Sequence, residues 1–159
     1  MINKNKLLLA ITVIVLFFGL VSCVSYSKID ILSANLKQIQ LKSSSELVLK
    51  AHLSVENNNN VEVYLSKMSG KLYRENKEFA VYDLLNASFA KPNDRTELEL
   101  EFLVKLTNPL ALLSMGLDLK SWDTRNILVD IRAELKQKKG SPKVFTRKKI
   151  QLDKLINYF

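Results

Sequence analysis

Leu47, Leu49, Ala51, Leu53 and Val55 alternate with Val48, Lys50, His52 and Ser54 in the segment "LVLKAHLSV". Leu98, Leu100, Phe102, Val104 and Leu106 alternate in the same way with Glu97, Glu99, Glu101, Leu103 and Lys105. Ile127, Val129, Ile131, Ala133 and Leu135 alternate with Leu128, Asp130, Arg132 and Glu134. Successive side chains of a strand point to opposite faces, so each apolar list lines one face of a half-buried strand. Weaker alternation predicts further strands over 29–39, 61–73, 79–89 and 144–152, about seven in all. Between them lie "KSSSE" at 42–46, "NNNN" at 57–60, "KPND" at 91–94 and "KKGSP" at 138–142, each rich in residues that favour turns. One segment breaks the pattern. "TNPLALLSMG" offers Asn108 as a helix N-cap, Pro109 at the first helical position and Gly116 as a stop, with Leu110, Leu113 and Leu117 at helical spacing. The expected fold is all-β: a single antiparallel sandwich of about seven strands, with one short helix over one end.

The start of the chain follows a different pattern. Lys4 and Lys6 precede an unbroken apolar run from Leu7 to Leu20, and Ser22 stands directly before Cys23. A cationic start, an apolar stretch of about 7 to 15 residues and small residues at the cut are the layout of a secretory signal. A membrane span needs about 20 apolar residues, more than this run supplies. The tetrapeptide "LVSC", Leu20 to Cys23, resembles the lipobox of bacterial lipoproteins. That resemblance implies cleavage before Cys23, a diacylglycerol on its sulfur and acylation of the new amino group. Each buried CH₂ adds about 0.8 kcal/mol, and two or more chains hold firmly where one holds only marginally. Expected boundaries are therefore a removed signal at 1–22, a lipidated tether at 23–28 and one domain at 29–159. The expected place is the cell envelope, on the extracytoplasmic side, at the outer membrane facing the periplasm. An uncleaved N-terminal anchor with the same orientation is the alternative.

Composition narrows this further. Without residues 1–22 the chain has 137 residues, one ordinary domain with enough length to bury a core. Cys23 is the only cysteine, so no disulfide framework exists and packing must supply the stability. The net charge of +8 falls to +6 with the loss of Lys4 and Lys6. Residues 136–154 carry all of that surplus, because eight basic residues there face Asp153 alone while residues 23–135 are nearly balanced. Lys138, Lys139, Lys143, Arg147 and Lys149 are the expected contacts with an anionic surface. Lipid head groups are the nearer partner for an exported chain, each nearby Lys or Arg adding about 1 kcal/mol, with an envelope protein as the other candidate. No nucleic acid is expected as a partner, and the domain is expected to be a monomer.

The order of features resembles the LEA type 2 family, the LEA14-like or water-stress WHy domain. "LVLKAHLSVENNN" matches its first strand and turn, "NASFAKPNDRTELELEFLVKL" its middle, and "NPLALLSMGL" with "ILVDIRAELK" its end, over about residues 29–152. Asn58 stands where the family usually has proline. The resemblance implies a small antiparallel sandwich of immunoglobulin-like or fibronectin-III-like form. It also implies a non-enzymatic envelope binding or stress-protection module, with a carrier holding an acyl chain or other apolar ligand between the sheets as the alternative.

Residues that do chemistry are sparse. His52 is the only histidine, and with Cys23 it cannot assemble a zinc site. No "GxSxG" elbow accompanies it. Glu97, Glu99 and Glu101 share one strand face at about 6.8 Å spacing, a geometry open to glycosidase or Ca²⁺ chemistry. The simpler expectation is an outward acidic face pairing with basic strands, at Arg132 or Arg147. No catalytic residue, cofactor or metal is assigned.

Overall fold

The computed structural model describes residues 28–110 and 124–152. Eight strands account for most of them: β1 (Ile29–Leu41), β2 (Glu46–Asn57), β3 (Val63–Arg74), β4 (Lys77–Leu84), β5 (Ser88–Ala90), β6 (Asp94–Leu106), β7 (Ile127–Gln137) and β8 (Lys143–Gln151). All pair antiparallel in the order β1-β2-β6-β4-β3-β7-β8, with β5 added beside β3. The all-β, sandwich-like architecture is the expected one. Two details differ from the expectation: the strands number eight, and one continuous hydrogen-bonded sheet runs through them.

The apolar lists read from the sequence meet residue by residue. Leu47, Leu49, Ala51 and Leu53 of β2 stand opposite Val104, Phe102, Leu100 and Leu98 of β6. Val129 and Ala133 of β7 stand opposite Leu72 and Met68 of β3. A shift of one residue would turn either list to solvent, which is what fixes the register. The core forms where these inner faces close on one another. Leu47, Phe79, Ala80, Tyr82, Val104, Leu106, Ile127 and Val129 are its buried members, and Leu49, Met68, Leu72, Phe102, Ile131 and Leu152 pack against them. Burying each of the larger aliphatic and aromatic side chains contributes about 1.5–3 kcal/mol.

The eighth strand comes from a break inside the expected strand at 79–89. β4 runs beside β6 as far as Leu84, opposite Phe102. Asn86 then takes over the backbone's role: its amide nitrogen donates to Glu99 O at 2.8 Å, and its amide oxygen accepts from Glu101 N at 2.7 Å. With β6 satisfied by a side chain, the main chain is released to cross to β3, where Phe89 pairs with Tyr64.

The asparagine run is a buried knot as well as a turn. Asn57 is 0% exposed; its amide donates to Val61 O and Ala90 O and accepts from both the backbone and the side chain of Asn59. Asn58 donates its backbone N–H to Lys28 O at 2.9 Å. A proline at that position could not make this bond, because it has no backbone N–H. Of the expected helix, Pro109 and Leu110 are described and helical. Its remainder, Cys23 and residues 1–27 lie outside the described residues.

Candidate functional site

Among the described residues β8 closes one end of the sheet order and pairs only with β7, and Lys143 to Lys149 are all exposed. The five cations expected at an anionic surface are on or beside this edge, but they do not form one patch. Lys138 and Lys139 sit exposed in the turn before β8, which Gly140 closes by donating its N–H to Gln137 O. Lys143, Phe145 and Arg147 are registered opposite Leu135, Ala133 and Ile131, the alternating set that supplies the core side of β7. Lys149 lies elsewhere. Simple alternation would place it with Arg147, yet the register slips between Val129 and Ile131, leaving Lys148 and Lys149 together opposite Asp130.

Asp130 organises that bulge. One carboxylate oxygen accepts the Lys149 backbone N–H at 2.7 Å, and the other accepts the Tyr73 hydroxyl at 3.0 Å. Lys149 takes a left-handed backbone conformation, φ 52°, and its ammonium lies 5.6 Å from the Tyr73 ring centroid. The Asp130 carbonyl accepts the Tyr82 hydroxyl at 2.9 Å. That last bond depends on Gly70, which pairs with both Tyr82 and Ile131. A Cβ on Gly70 would stand 1.8 Å from Asp130 O and 2.6 Å from the Tyr82 hydroxyl. Burial, and secondarily the Asp130 charge, pushes the Tyr82 phenol far above the ordinary tyrosine range. Burial likewise raises Tyr73, helped by its bond to Asp130.

The bulge forms one wall of an open groove of about 340 Å³ across β4, β3, β7 and β8. Its charged side chains are Lys71, Asp83, Asp130, Arg132 and Lys148, with Ser69 and Thr146 as hydroxyl donors. Two of the charges are already committed. Asp130 has both oxygens occupied, and Lys71 is 2.7 Å from Glu78, a hydrogen bond that raises the lysine's pKa. Asp83, Arg132 and Lys148 form no ion pair among the described residues. Arg132 and Lys148 were not among the five expected contact residues. The available signal was Gly70 inside a strand, since an interior strand glycine marks a bulge or a close backbone approach.

The acidic face of β6 pairs as expected in kind, but with other partners. Glu101 meets Lys50 at 2.9 Å, Glu97 meets His52 at 3.6 Å and Arg95 at 3.6 Å, and Ser54 donates to Glu97 at 2.8 Å. Arg132 and Arg147 lie on β7 and β8, with β4 and β3 between them and β6. Ser54 is 1% exposed and bonds to Glu97 and Arg95, so its hydroxyl is held as a structural group. Among the described residues no three His, Cys, Asp or Glu side chains converge as a metal site.

No family model and no curated protein matches the chain. Solved structures do. A protein from Archaeoglobus fulgidus is similar at 17% identity, covering 74% of this chain and 93% of that one, with a TM-score of 0.49. The GAE domain of yeast GGA1 is similar at 12% identity over 76% and 96%, TM-score 0.33. A conjugative transposon lipoprotein from Bacteroides eggerthii is similar at 8% identity over 77% and 96%, TM-score 0.26. With every TM-score below 0.5, these likenesses carry nothing about activity, partner or location.

Proposed function

We propose that the chain is a non-enzymatic envelope lipoprotein, anchored through lipid on Cys23, whose β-sandwich is a binding or stress-protection module held close to an anionic membrane. The observation that carries the reading is the "LVSC" motif behind an apolar run, with only five residues between Cys23 and the first residue of β1. So short a tether keeps the domain near the head groups. Support for contact comes from β8, whose cations are exposed on a strand that closes the sheet order of the described residues. An anionic surface attracts such charges over about one Debye length, roughly 8 Å at physiological salt. The stress-protection part rests on the LEA type 2 resemblance, and the proposed side is the periplasmic face of the outer membrane.

Two measurements test this. Mass spectrometry of the membrane-extracted protein is expected to show a chain starting at Cys23 with added acyl mass. An intact Met1 terminus, or a Cys23→Ala protein that still partitions wholly with membranes, overturns the anchor. For the surface contact, residues 27–159 are co-sedimented with anionic and neutral vesicles at low and high salt. Weak, salt-sensitive binding to anionic vesicles is expected, and it is lost when Lys138, Lys139, Lys143 and Lys149 are changed to Glu. Equal binding to both vesicle types makes the cluster an ordinary solvated surface.

A further inference from the structure

We propose that the groove walled by the β8 bulge binds a phosphate ester carrying a nearby ammonium group, phosphoethanolamine being the simplest member. The site stands on its own residues and does not depend on lipidation of Cys23. Asp83, Ser69, Arg132 and Thr146 form one row across β4, β3, β7 and β8. Neighbouring strands are about 4.8 Å apart, so the Asp83 and Arg132 backbones stand about 10 Å from each other. A ligand therefore meets positive charge at one end of the row and negative charge at the other.

At the positive end Arg132 offers a planar fork suited to two phosphate oxygens, and Lys148 adds a point charge. The Thr146 and Ser69 hydroxyls are within the same groove. Lys148 alternates with Arg147 and so falls on the Thr146 side of β8, and the Asp130 bond to the Lys149 N–H fixes the backbone just after it. At the other end Asp83 is an acceptor without a cation. A purely anionic ligand would be repelled by Asp83 and Asp130, and a purely cationic one by Arg132 and Lys148. Lys71 does not tip this balance, because Glu78 already neutralises it. A group bearing both charges satisfies all three uncommitted side chains at once. The volume, about 340 Å³, is at the lower end for small-molecule sites and suits a head group.

The test uses the full chain in nonionic detergent, titrated with O-phosphoethanolamine, inorganic phosphate and ethanolamine and followed through the backbone amide resonances of Ser69, Arg132 and Thr146. Saturable shifts at all three are expected with phosphoethanolamine, with weaker response to either half alone. R132Q/K148Q is expected to weaken binding about tenfold or more, as the loss of charge-assisted hydrogen bonds requires. D83N is expected to lower the preference for phosphoethanolamine over phosphate by about two- to fivefold, the scale of an exposed charge pair. All three side chains are partly or fully exposed, so the variants should keep the wild-type circular dichroism spectrum. The same shifts on vesicles of phosphatidylethanolamine, absent with phosphatidylglycerol, assign the ester to a lipid. Shifts with the free ester alone assign it to a soluble compound. Absence of shifts with phosphoethanolamine, unchanged affinity in R132Q/K148Q, or an unchanged preference in D83N overturns the proposal.

Discussion

Gly70 shows how much one missing side chain arranges. Its inner position is covered by Tyr82, whose ring also meets Phe102 edge-on at 5.9 Å, and its backbone allows the Tyr82 hydroxyl to reach Asp130 O. Gly70→Ala places a methyl 1.8 Å from that carbonyl, so β3 and β7 must move apart. Urea denaturation is expected to show a loss of about 1–3 kcal/mol or more, the range for forced overpacking. Tyr82→Phe leaves the packing and removes the hydroxyl, for a loss of about 1 kcal/mol at neutral pH. The same variant isolates a pH effect. Tyr82 has a folded-state pKa raised above its unfolded value of about 10, so its protonated form is bound more tightly in the native state. That stability is fully present below pH of about 10 and is lost as pH rises toward the folded value. The wild type is therefore expected to lose stability above pH 10 faster than Tyr82→Phe, by up to about 1.4 kcal/mol per pH unit. Lys50 and Lys71, raised by hydrogen bonds to Glu101 and Glu78, act in the same direction in both proteins and cancel.

At the scale of elements, the turns carry much of the specification. Glu75 and Asn76 join β3 to β4 with φ of 50° and 63°, the doubly left-handed geometry of a type I′ hairpin. Glutamate lacks the local hydrogen bond that lets asparagine tolerate that conformation, which costs L-residues about 1–2 kcal/mol. Changing Glu75-Asn76 to Asn-Gly is expected to raise the urea midpoint, by about 1 kcal/mol in stability. Asn86→Ala works the other way. It strips Glu99 O and Glu101 N of their partner, and a loss of about 1–2 kcal/mol in the same assay is expected. These elements also mark where the sequence is legible. β2, β6 and β7 could be read because half-burial imposes a period of two, and their partners confirm it pair by pair. The break at Asn86 could not, because its side chain replaces main-chain pairing to β6 there, a long-range contact that the local sequence does not specify. The groove was hidden for a related reason. Arg132, Lys148 and Asp83 come from three strands, and the bulge beside Lys148 is set by Asp130, a long-range partner without a local signature.

At the scale of the molecule, residues 27–159 are expected to give a strand-dominated circular dichroism spectrum and to unfold independently of chelators. A mainly helical spectrum would contradict the fold. Leu100, 2% exposed and facing Ala51 across the sheet, is the position where a charge is least tolerable. Leu100→Asp is expected to abolish the cooperative transition, since an unpaired buried carboxylate costs several kcal/mol. The strand order has a further consequence, for time. β1–β2, β3–β4 and β7–β8 are hairpins that form within microseconds once their turns are made. The sheet is complete only when β2 finds β6 and β3 finds β7, and the latter joins Val63 to Gln137 and Arg74 to Ile127. Such distant pairings place the domain among slow folders, with refolding in milliseconds to seconds. The refolding chain therefore passes through an interval in which three hairpins exist and their inner faces are still wet, and copies that meet in that interval can join edge to edge before their own sheets close.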